Sequence, residues 1–530
     1  MKKQYYITTP LYYVNAAPHI GHSYTQIASD AIARFLRQNE HDVFFMTGTD
    51  EHGEKIEKAS IESGRPKGSE KDFVDSIIPR FKDLWKKLNI EYDYFIRTTD
   101  KLHEDTVKDV LAKLYKKGDV YKKNYNGLFC TPCEMFWPHT QAPSGLCPDC
   151  ARPLEKLNEE NYFFKMGSYQ NNLIDIIEKD GIVIKPSMRK NEVLSFLKGN
   201  TLQDLCISRP RERLSWGIEL PFDRNFVCYV WVDALINYIS GAGYLNDKKR
   251  FQTLWPCDMH IIGKDILRHH AIYWPIMLIA LGVKPPKSVF AHGWWVVGDE
   301  KMSKSKGNVV DPYYLLDQKG YNVDAFRYFL LSHVPFGWDG SFSEGLLVEK
   351  YNTDLANDLG NLLNRTLTMV EKYFAGEIPS VRHPATGNRQ QEEKKLQEEI
   401  RDLADNLADK VKKAMDIEKE GPNFQLALNA IWELVNKANK YIEVSAPWKY
   451  AKESNKDALS VIMDTLMQTL GVITGLLYPF MPSTASKMYR QLGRKEDIAK
   501  VKYKEIRWGM IAPGTRVDKG QPLFPRINTE

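Results

Sequence analysis

Three clusters of side chains in the 530-residue sequence have types and spacings that could do chemistry. The first is NAAPHIGH, Asn15 to His22, where His19 and His22 flank an Ile-Gly step at the start of a helix-like segment. Unbonded N–H groups at a helix N-terminus carry partial positive charge and attract anions, phosphate above all. Imidazoles there can donate N–H bonds to phosphate while neutral, because the helix end disfavours imidazolium. Pro18 stiffens the approach, and Gly21 lets a ligand come close to the backbone. The second cluster is GDEKMSKSKGN, Gly298 to Asn308, whose Lys301, Lys304 and Lys306 sit among small and polar residues. That composition suits a mobile loop bringing ammonium groups to a polyphosphate. The third is two C-x-x-C pairs, Cys130/Cys133 and Cys147/Cys150, at zinc-ribbon spacing. Each pair can hold one face of a tetrahedral ion, so one closed, structural Zn2+ is expected. His139 lies between the pairs, but four thiolates already fill the shell.

The elements that must position these groups follow from apolar periodicity. QYYITTPLYY reads as a strand, and Ile27, Ala28, Ala31, Ile32 and Phe35 are spaced by three and four, as on a helix. DVFFMTG is a second strand, so the chain opens with a βαβ unit and a parallel sheet is expected. From about Leu114 to about Cys228 the pattern changes to short motifs around the cysteines, which reads as an insertion with its own small fold. FVCYVWVDALINYI and MHIIGKDILRHHAIYWPIML then resume the strand-then-helix alternation, and SVFAHGWWVV reads as a further strand. Past Phe342 the chain is helical. Phe424, Leu428, Ile431, Val435, Ala438 and Ile442 form an apolar seam, while RQQEEKKLQEEIRDLADNLADKVKK reads as a solvated face laced with acid–base pairs.

Composition narrows the classes. A net charge of +5 permits an anionic partner without demanding one. The strongest apolar runs, AIYWPIMLIALGV and LGVITGLLYPFMP, are short and interrupted by Pro, so no membrane span is expected. The N-terminus has neither a secretory nor a transit-peptide pattern, which makes the cytoplasm the expected location. Seven cysteines, four of them in pairs, argue for a metal site in a reducing compartment over a disulfide framework.

A lone H-x-x-H is commonly a helix cap beside a surface residue, and a lysine-rich loop is commonly just solvated. Together, PHIGH after the first strand and KMSKS after a late one are the paired signatures of class I aminoacyl-tRNA synthetases. ITTPLYYVNAAPHIGH, FFMTGTDEHG, YVWVDALINY, IIGKDI and SAPWKYAK make the sequence resemble the methionyl-tRNA synthetase family along nearly its whole length. The resemblance implies an ATP-dependent ligase that forms methionyl-adenylate and pyrophosphate, then transfers methionine to the 3′-terminal ribose of tRNA(Met) for initiation and elongation. It implies a Rossmann-like catalytic domain in two halves, 1–113 and 226–322, split by a zinc-bearing connective insertion at 114–225. A link at 323–350 and an α-helical anticodon-binding bundle at 351–530 complete the expected architecture.

The resemblance also assigns residues. His19, Gly21, His22, Lys301 and Lys304 are the expected catalytic set. ATP would be held by His19, His22, Gly263, Asp265 and the run Lys301, Met302, Ser303, Lys304 and Ser305, accompanied by Mg2+. Methionine would lie among Pro10, Leu11, Tyr13, Asp50, Trp231, Ala234, Leu235, Tyr238, Ile266 and His270. Asp50 suits the ammonium, and aromatic rings suit a thioether. Asn361, Arg365 and Trp448 are expected to read the CAU anticodon through amide, guanidinium and indole groups. The chain ends at KGQPLFPRINTE, soon after the bundle, with no additional tRNA-binding domain of the sort that dimerises some family members, so a monomer is expected. The aliphatic synthetases carry a large editing insertion, for which the insertion here leaves too little room. A zinc-bearing RNA-binding protein would not need both phosphate motifs intact, and a tRNA-independent nucleotidyltransferase would not need the bundle.

Overall fold

The computed structural model of the chain describes residues 3–15, 17–131, 135–137, 142–148, 151–297, 300–301, 309–381 and 389–528. In the first half, strand β1 (Gln4–Tyr13) leads into helix α1 (Ile20–Gln38), β2 (Asp42–Asp50), β3 (Tyr94–Arg97) and α2 (Lys101–Lys117). Beyond these come β4 (Val183–Lys185), α3 (Val230–Ser240), β5 (Met259–Gly263), α4 (Trp274–Leu281), β6 (Ser288–His292) and α5 (Val323–Ser332). The six strands form one parallel sheet in the order β3-β2-β1-β5-β6-β4. Its central strands are covered on both faces, which is why β6 is buried throughout and β1 and β2 almost throughout, without alternation. The strand order reverses between β1 and β5, the place where open α/β sheets bind ligands.

Three features differ from the sequence reading. The edge strand β4 comes from inside the segment that reads as an insertion; three residues are too few to produce a periodic signal. The strand in FVCYVW, Asp223–Cys228, does not join the parallel sheet but pairs antiparallel with Ser208–Pro210 and Glu219–Leu220. SVFAHGWWVV is two strands, not one. After β6 the chain turns at Gly293, and Trp295–Val297 pairs with Glu300–Lys301 and Gly340–Ser341 in a separate sheet. A Cβ on Gly293 would lie 2.2 Å from the Trp338 carbonyl group, so only glycine makes that turn. The cysteine-bearing segment is built on an antiparallel sheet of Val120–Cys130, Met135–Trp137, Glu155–Phe164 and Leu205–Cys206.

The C-terminal half is a bundle of α6 (Asn361–Phe374), α7 (Gln391–Ala414), α8 (Phe424–Ser445), α9 (Pro447–Lys452), α10 (Lys456–Leu477) and α11 (Pro482–Gln491). The expected seam of α8 is buried in full. Charge-dense α7 buries Leu396, Ile400, Leu403, Leu407 and Val411 and lays Arg401–Asp405 and Glu399–Lys437 pairs on its outer side. Helix α10 is long and apolar enough to cross a membrane by composition, but 89% of its apolar window is buried in the bundle as a core helix.

A buried polar knot joins the two halves. Asp30, on α1, accepts from Arg34 Nε at 2.8 Å and from Arg327 Nη2, on α5, at 2.7 Å. Arg34 also donates to the Tyr478 hydroxyl, and Arg327 to the carbonyls of Pro479 and Phe480, just after α10. Burial works to raise the Asp30 pKa, but Arg34 and Arg327 outweigh it and hold the carboxyl below its ordinary value of 3.8. Ionised Asp30 therefore contributes stability above that value, and the contribution is lost as pH falls through the lowered one. Asp30→Asn should cost about 3 kcal/mol in urea unfolding at pH 7, because two guanidinium groups lose their buried counter-charge. The deficit should begin to narrow below about pH 4, where Asp30 of the unfolded parent chain takes up the proton that the native carboxylate still resists.

Candidate active site

β1 pairs with β5 only at Ile7 and Thr8, and its register against β2 shifts between Thr8 and Leu11. Pro10 lies in that stretch and has no N–H for a ladder, so the chain bulges and parts from β5. The gap is the mouth of a cavity of about 340 Å³, lined by the ends of β1, β2, β5 and β6, the first turns of α1, and α3. That size is at the lower end of the usual small-molecule site.

At the N-terminus of α1 the two histidines cap the helix together. Gly21 N donates to His19 Nδ1 and His19 N donates to His22 Nδ1, each at 3.1 Å, and the rings stack at 3.9 Å. With Nδ1 accepting in both, each neutral ring carries its proton on Nε2. Gly21 lines the cavity, and its lack of a side chain also serves the cap. A Cβ there would lie 2.9 Å from His19 Cε1, so the missing side chain makes room for the His19 ring. Ile20 N donates to Val310 O at 3.2 Å, which holds Val310 against this first turn. Met302, Ser303, Lys304 and Ser305 lie outside the described residues, as does the Lys301 side chain; Lys301 itself lies on the strand Glu300–Lys301.

Asp50 ends β2, is 3% exposed, and lines the cavity with Pro10, Leu11 and Tyr13. Trp231, Ala234, Leu235 and Tyr238 project from α3, and Ile266 and His270 follow β5. His270 Nδ1 donates to Ile266 O at 2.9 Å, so its Nε2 accepts from the Tyr238 hydroxyl at 2.8 Å. Burial lowers the His270 pKa to about 4, and the ring is neutral. Trp231 stacks on His269 at 3.8 Å, and burial lowers the His269 pKa to about 3. This side of the cavity is thus apolar, aromatic and uncharged. Across it, Asp265 Oδ1 accepts from the Trp294 indole at 3.0 Å, and a Cβ on Gly263 would lie 2.6 Å from that oxygen.

The cavity gathers every expected ATP and methionine residue that the structure describes with its side chain. It also holds residues that sequence reasoning missed: Tyr12, Tyr24, Thr25, Asn237, His292, Trp294 and Trp295. His292 ends β6, its Nδ1 donating to Gly293 O and its Nε2 accepting from Thr25 at 2.8 Å. Its position at the C-terminal end of a parallel strand was the one available signal.

Two further groups stand apart from the cavity. Cys130 and Cys147 are buried in one small cluster with Leu128, Trp137 and Ala142, whereas Cys133, Cys150 and His139 lie outside the described residues. In the bundle, Asn361 is exposed at the start of α6, and Arg365 pairs with Glu443 of α8 at 2.6 Å. Trp448, 40% exposed on α9, follows Glu443 by five residues, so Arg365 and Trp448 flank the C-terminal end of α8.

An open parallel sheet with a reciprocally capped His-x-x-His helix at its switch point defines a class I aminoacyl-tRNA synthetase, and residues 5–367 match the family described as "tRNA synthetases class I (M)". Residues 392–515 match "Anticodon-binding domain of tRNA ligase". The chain belongs to the methionine–tRNA ligase family. It is 49% identical to the methionine–tRNA ligase of Caldanaerobacter subterraneus subsp. tengcongensis over 100% of this chain and 80% of that protein. It is 48% identical to that of Clostridium perfringens, over 100% and 79%. The methionyl-tRNA synthetase of Mycobacterium tuberculosis bound by methionyl-adenylate superposes with a TM-score of 0.89 at 38% identity, covering 99% of this chain and 100% of that one.

The paired caps make a checkable prediction. In Gly21→Ala the added methyl should push the His19 ring off its cap. Histidine 15N chemical shifts should place both parent rings in the Nε2–H form and should show His19 of the variant as a tautomer mixture with His22 unchanged.

Proposed function

We propose that this cavity performs both half-reactions of methionine–tRNA ligation. The methionine carboxylate attacks the α-phosphorus of ATP, forming the acyl-phosphate bond as the bond to pyrophosphate breaks. The 3′-terminal ribose hydroxyl of tRNA(Met) then attacks the carbonyl carbon and gives up its proton to the departing phosphate, and AMP leaves with the bonding electron pair. The observation that carries this reading is that one cavity holds a capped helix N-terminus, a buried carboxylate and an uncharged aromatic wall.

Asp50 accepts the ammonium of methionine. Leu11, Tyr13, Trp231, Ala234, Leu235, Tyr238, Ile266 and His270 enclose its side chain, with Pro10 at the bulge. Shape and sulfur–aromatic contact favour the thioether, and the neutral His270 and His269 offer no counter-charge to an acidic side chain. His19 and His22 donate their Nε2–H groups to the triphosphate above the positive end of α1. Lys301 and Lys304, with Met302, Ser303 and Ser305, bring cationic and hydroxyl groups to the departing pyrophosphate, and Mg2+ arrives with the nucleotide. Asp265, oriented by Trp294 and given room by Gly263, accepts from the ribose. Positioning and charge stabilisation supply the rate, since no side chain forms a bond to substrate.

Residues 1–113 and 226–322 act as the catalytic unit, 114–225 as the connective insertion, 323–350 as the link and 351–530 as the anticodon-binding unit. Asn361, Arg365 and Trp448 read CAU at the α8 end of the bundle, the indole stacking on an unpaired base. The four cysteines Cys130, Cys133, Cys147 and Cys150 hold one structural Zn2+. The burial of Cys130 and Cys147 in one cluster supports this, because it brings one thiol of each pair together. When bound, the ion cross-links the two arms of the insertion and takes no part in the reaction. The enzyme works as a cytoplasmic monomer.

Amino-acid-dependent ATP–pyrophosphate exchange, run across all twenty amino acids, tests the function. Methionine should support exchange at least about a hundredfold better than isoleucine or leucine, two contacts' worth of pocket discrimination. No exchange with methionine would remove the reading.

A further inference from the structure

β2 delivers Asp50 into the cavity, and the three residues that follow are held from both sides. Glu51 is fully buried, and Arg97 grips its carboxylate with Nε and Nη2, both at 2.7 Å. The hydroxyls of Thr49 and Thr99 donate to the same carboxylate at 2.6 Å. His52 points the other way. Its Nδ1 donates to Asp233 Oδ2 at 2.7 Å, and the second oxygen of Asp233 accepts from His103 Nε2, also at 2.7 Å. His52, Asp233 and His103 are buried, at 4%, 0% and 0% exposure. Trp216, from the insertion, packs over the His52 ring at 5.2 Å, donates its indole N–H to Glu51 O, and accepts at its carbonyl from Gly53 N.

Asp233 sits in the first turn of α3, two residues after Trp231 and immediately before Ala234. His52 sits two residues after Asp50. One carboxylate therefore bridges the strand end that supplies the cavity's acid and the helix that supplies its aromatic wall, while His103 ties both to α2. Burial alone would disfavour the charge on His52, but Asp233 outweighs it and raises the imidazole pKa. Burial likewise works against ionised Asp233, and the two histidines hold its pKa low. A buried ionic triad is seldom more stabilising than an apolar substitute of equal volume, whereas its bonds are directional. Directionality is what a site needs when two walls must keep a fixed separation.

We propose that His52 and Asp233, braced by His103, are positioning residues for the amino-acid substrate, fixing Asp50 relative to Trp231 across the methionine pocket. The inference rests on the reading that Asp50 accepts the methionine ammonium. None of the three touches substrate; they act through the two walls they join.

The test is steady-state ATP–pyrophosphate exchange on the full chain, with KM for methionine and for ATP measured separately for His52→Ala, His52→Asn, Asp233→Asn and Asp50→Asn. His52→Ala should raise the methionine KM about tenfold, the size expected for losing a charge-assisted hydrogen bond, with the ATP KM changed by less than about twofold. His52→Asn places an amide N–H where Nδ1 was and should recover most of the loss. Asp233→Asn, which keeps the shape of the side chain, should raise the methionine KM several-fold and carries the comparison if His52→Ala does not fold. Equal rises in both KM values, or His52→Asn no better than His52→Ala, would overturn the inference. Asp50→Asn separates the two levels. If it raises the methionine KM while the His52 and Asp233 variants do not, the clamp is refuted and the ammonium site stands. If it leaves the methionine KM unchanged, the ammonium reading falls and takes the inference with it.

Discussion

Strand β1 lies at the centre of the sheet, hydrogen-bonded to β2 along most of its length but to β5 only through Ile7 and Thr8. Had the ladder to β5 continued past Pro10, the sheet would have closed where the cavity now opens. The missing N–H of Pro10 and the accompanying bulge part the two strands at their C-terminal ends. All the other site features depend on that parting. It admits α1 with its N-terminus facing the gap, leaves Asp50 at the end of β2 on one side, and sets Gly263 and Asp265 at the end of β5 on the other.

Charge is then placed with little exposed to chance. The α1 end of the cavity has helix N–H groups and two imidazoles whose tautomers are set by reciprocal capping. The aromatic end has histidines kept neutral by burial. Between them a carboxylate stands at a strand end fixed by hydrogen bonds to both of the residues that follow it. Helix α1 is anchored at both ends. Its first turn meets Val310, while Asp30 and Arg34 lock its later turns to α5 and to the residues following α10.

Much of this was legible in the sequence, for physical reasons that differ by element. The seam of α8 and the buried face of α1 follow from a period of 3.6 sustained over several turns. The His-x-x-His helix start was legible because its geometry is local: the cap, the glycine and both imidazoles lie within four consecutive residues. What escaped was set by distant contacts. β4 is three residues long and is recognisable as a strand only beside β6. Asp223–Cys228 has a strand's composition, but its partners place it in an antiparallel ribbon. Gly293 reads as the interior of a strand until the Trp338 backbone is seen against it. His292 and Trp294 enter the site because β6 ends there, and His52, Asp233 and His103 are separated by 51 and 130 residues along the chain. Gly21 stands out in the sequence, but its contact with the His19 ring is seen only in the structure.

Under the proposed function one cavity, opened where β1 leaves β5, holds both the amino acid and the nucleotide phosphates. A crystal structure with a non-hydrolysable sulfamate analogue of methionyl-adenylate tests it most directly. The sulfamate is expected over the first turn of α1 within hydrogen-bond distance of His19 or His22 Nε2, the ammonium on Asp50, and the thioether against Trp231 and Tyr238. An analogue bound with its ammonium away from Asp50, or its sulfamate away from α1, would contradict it.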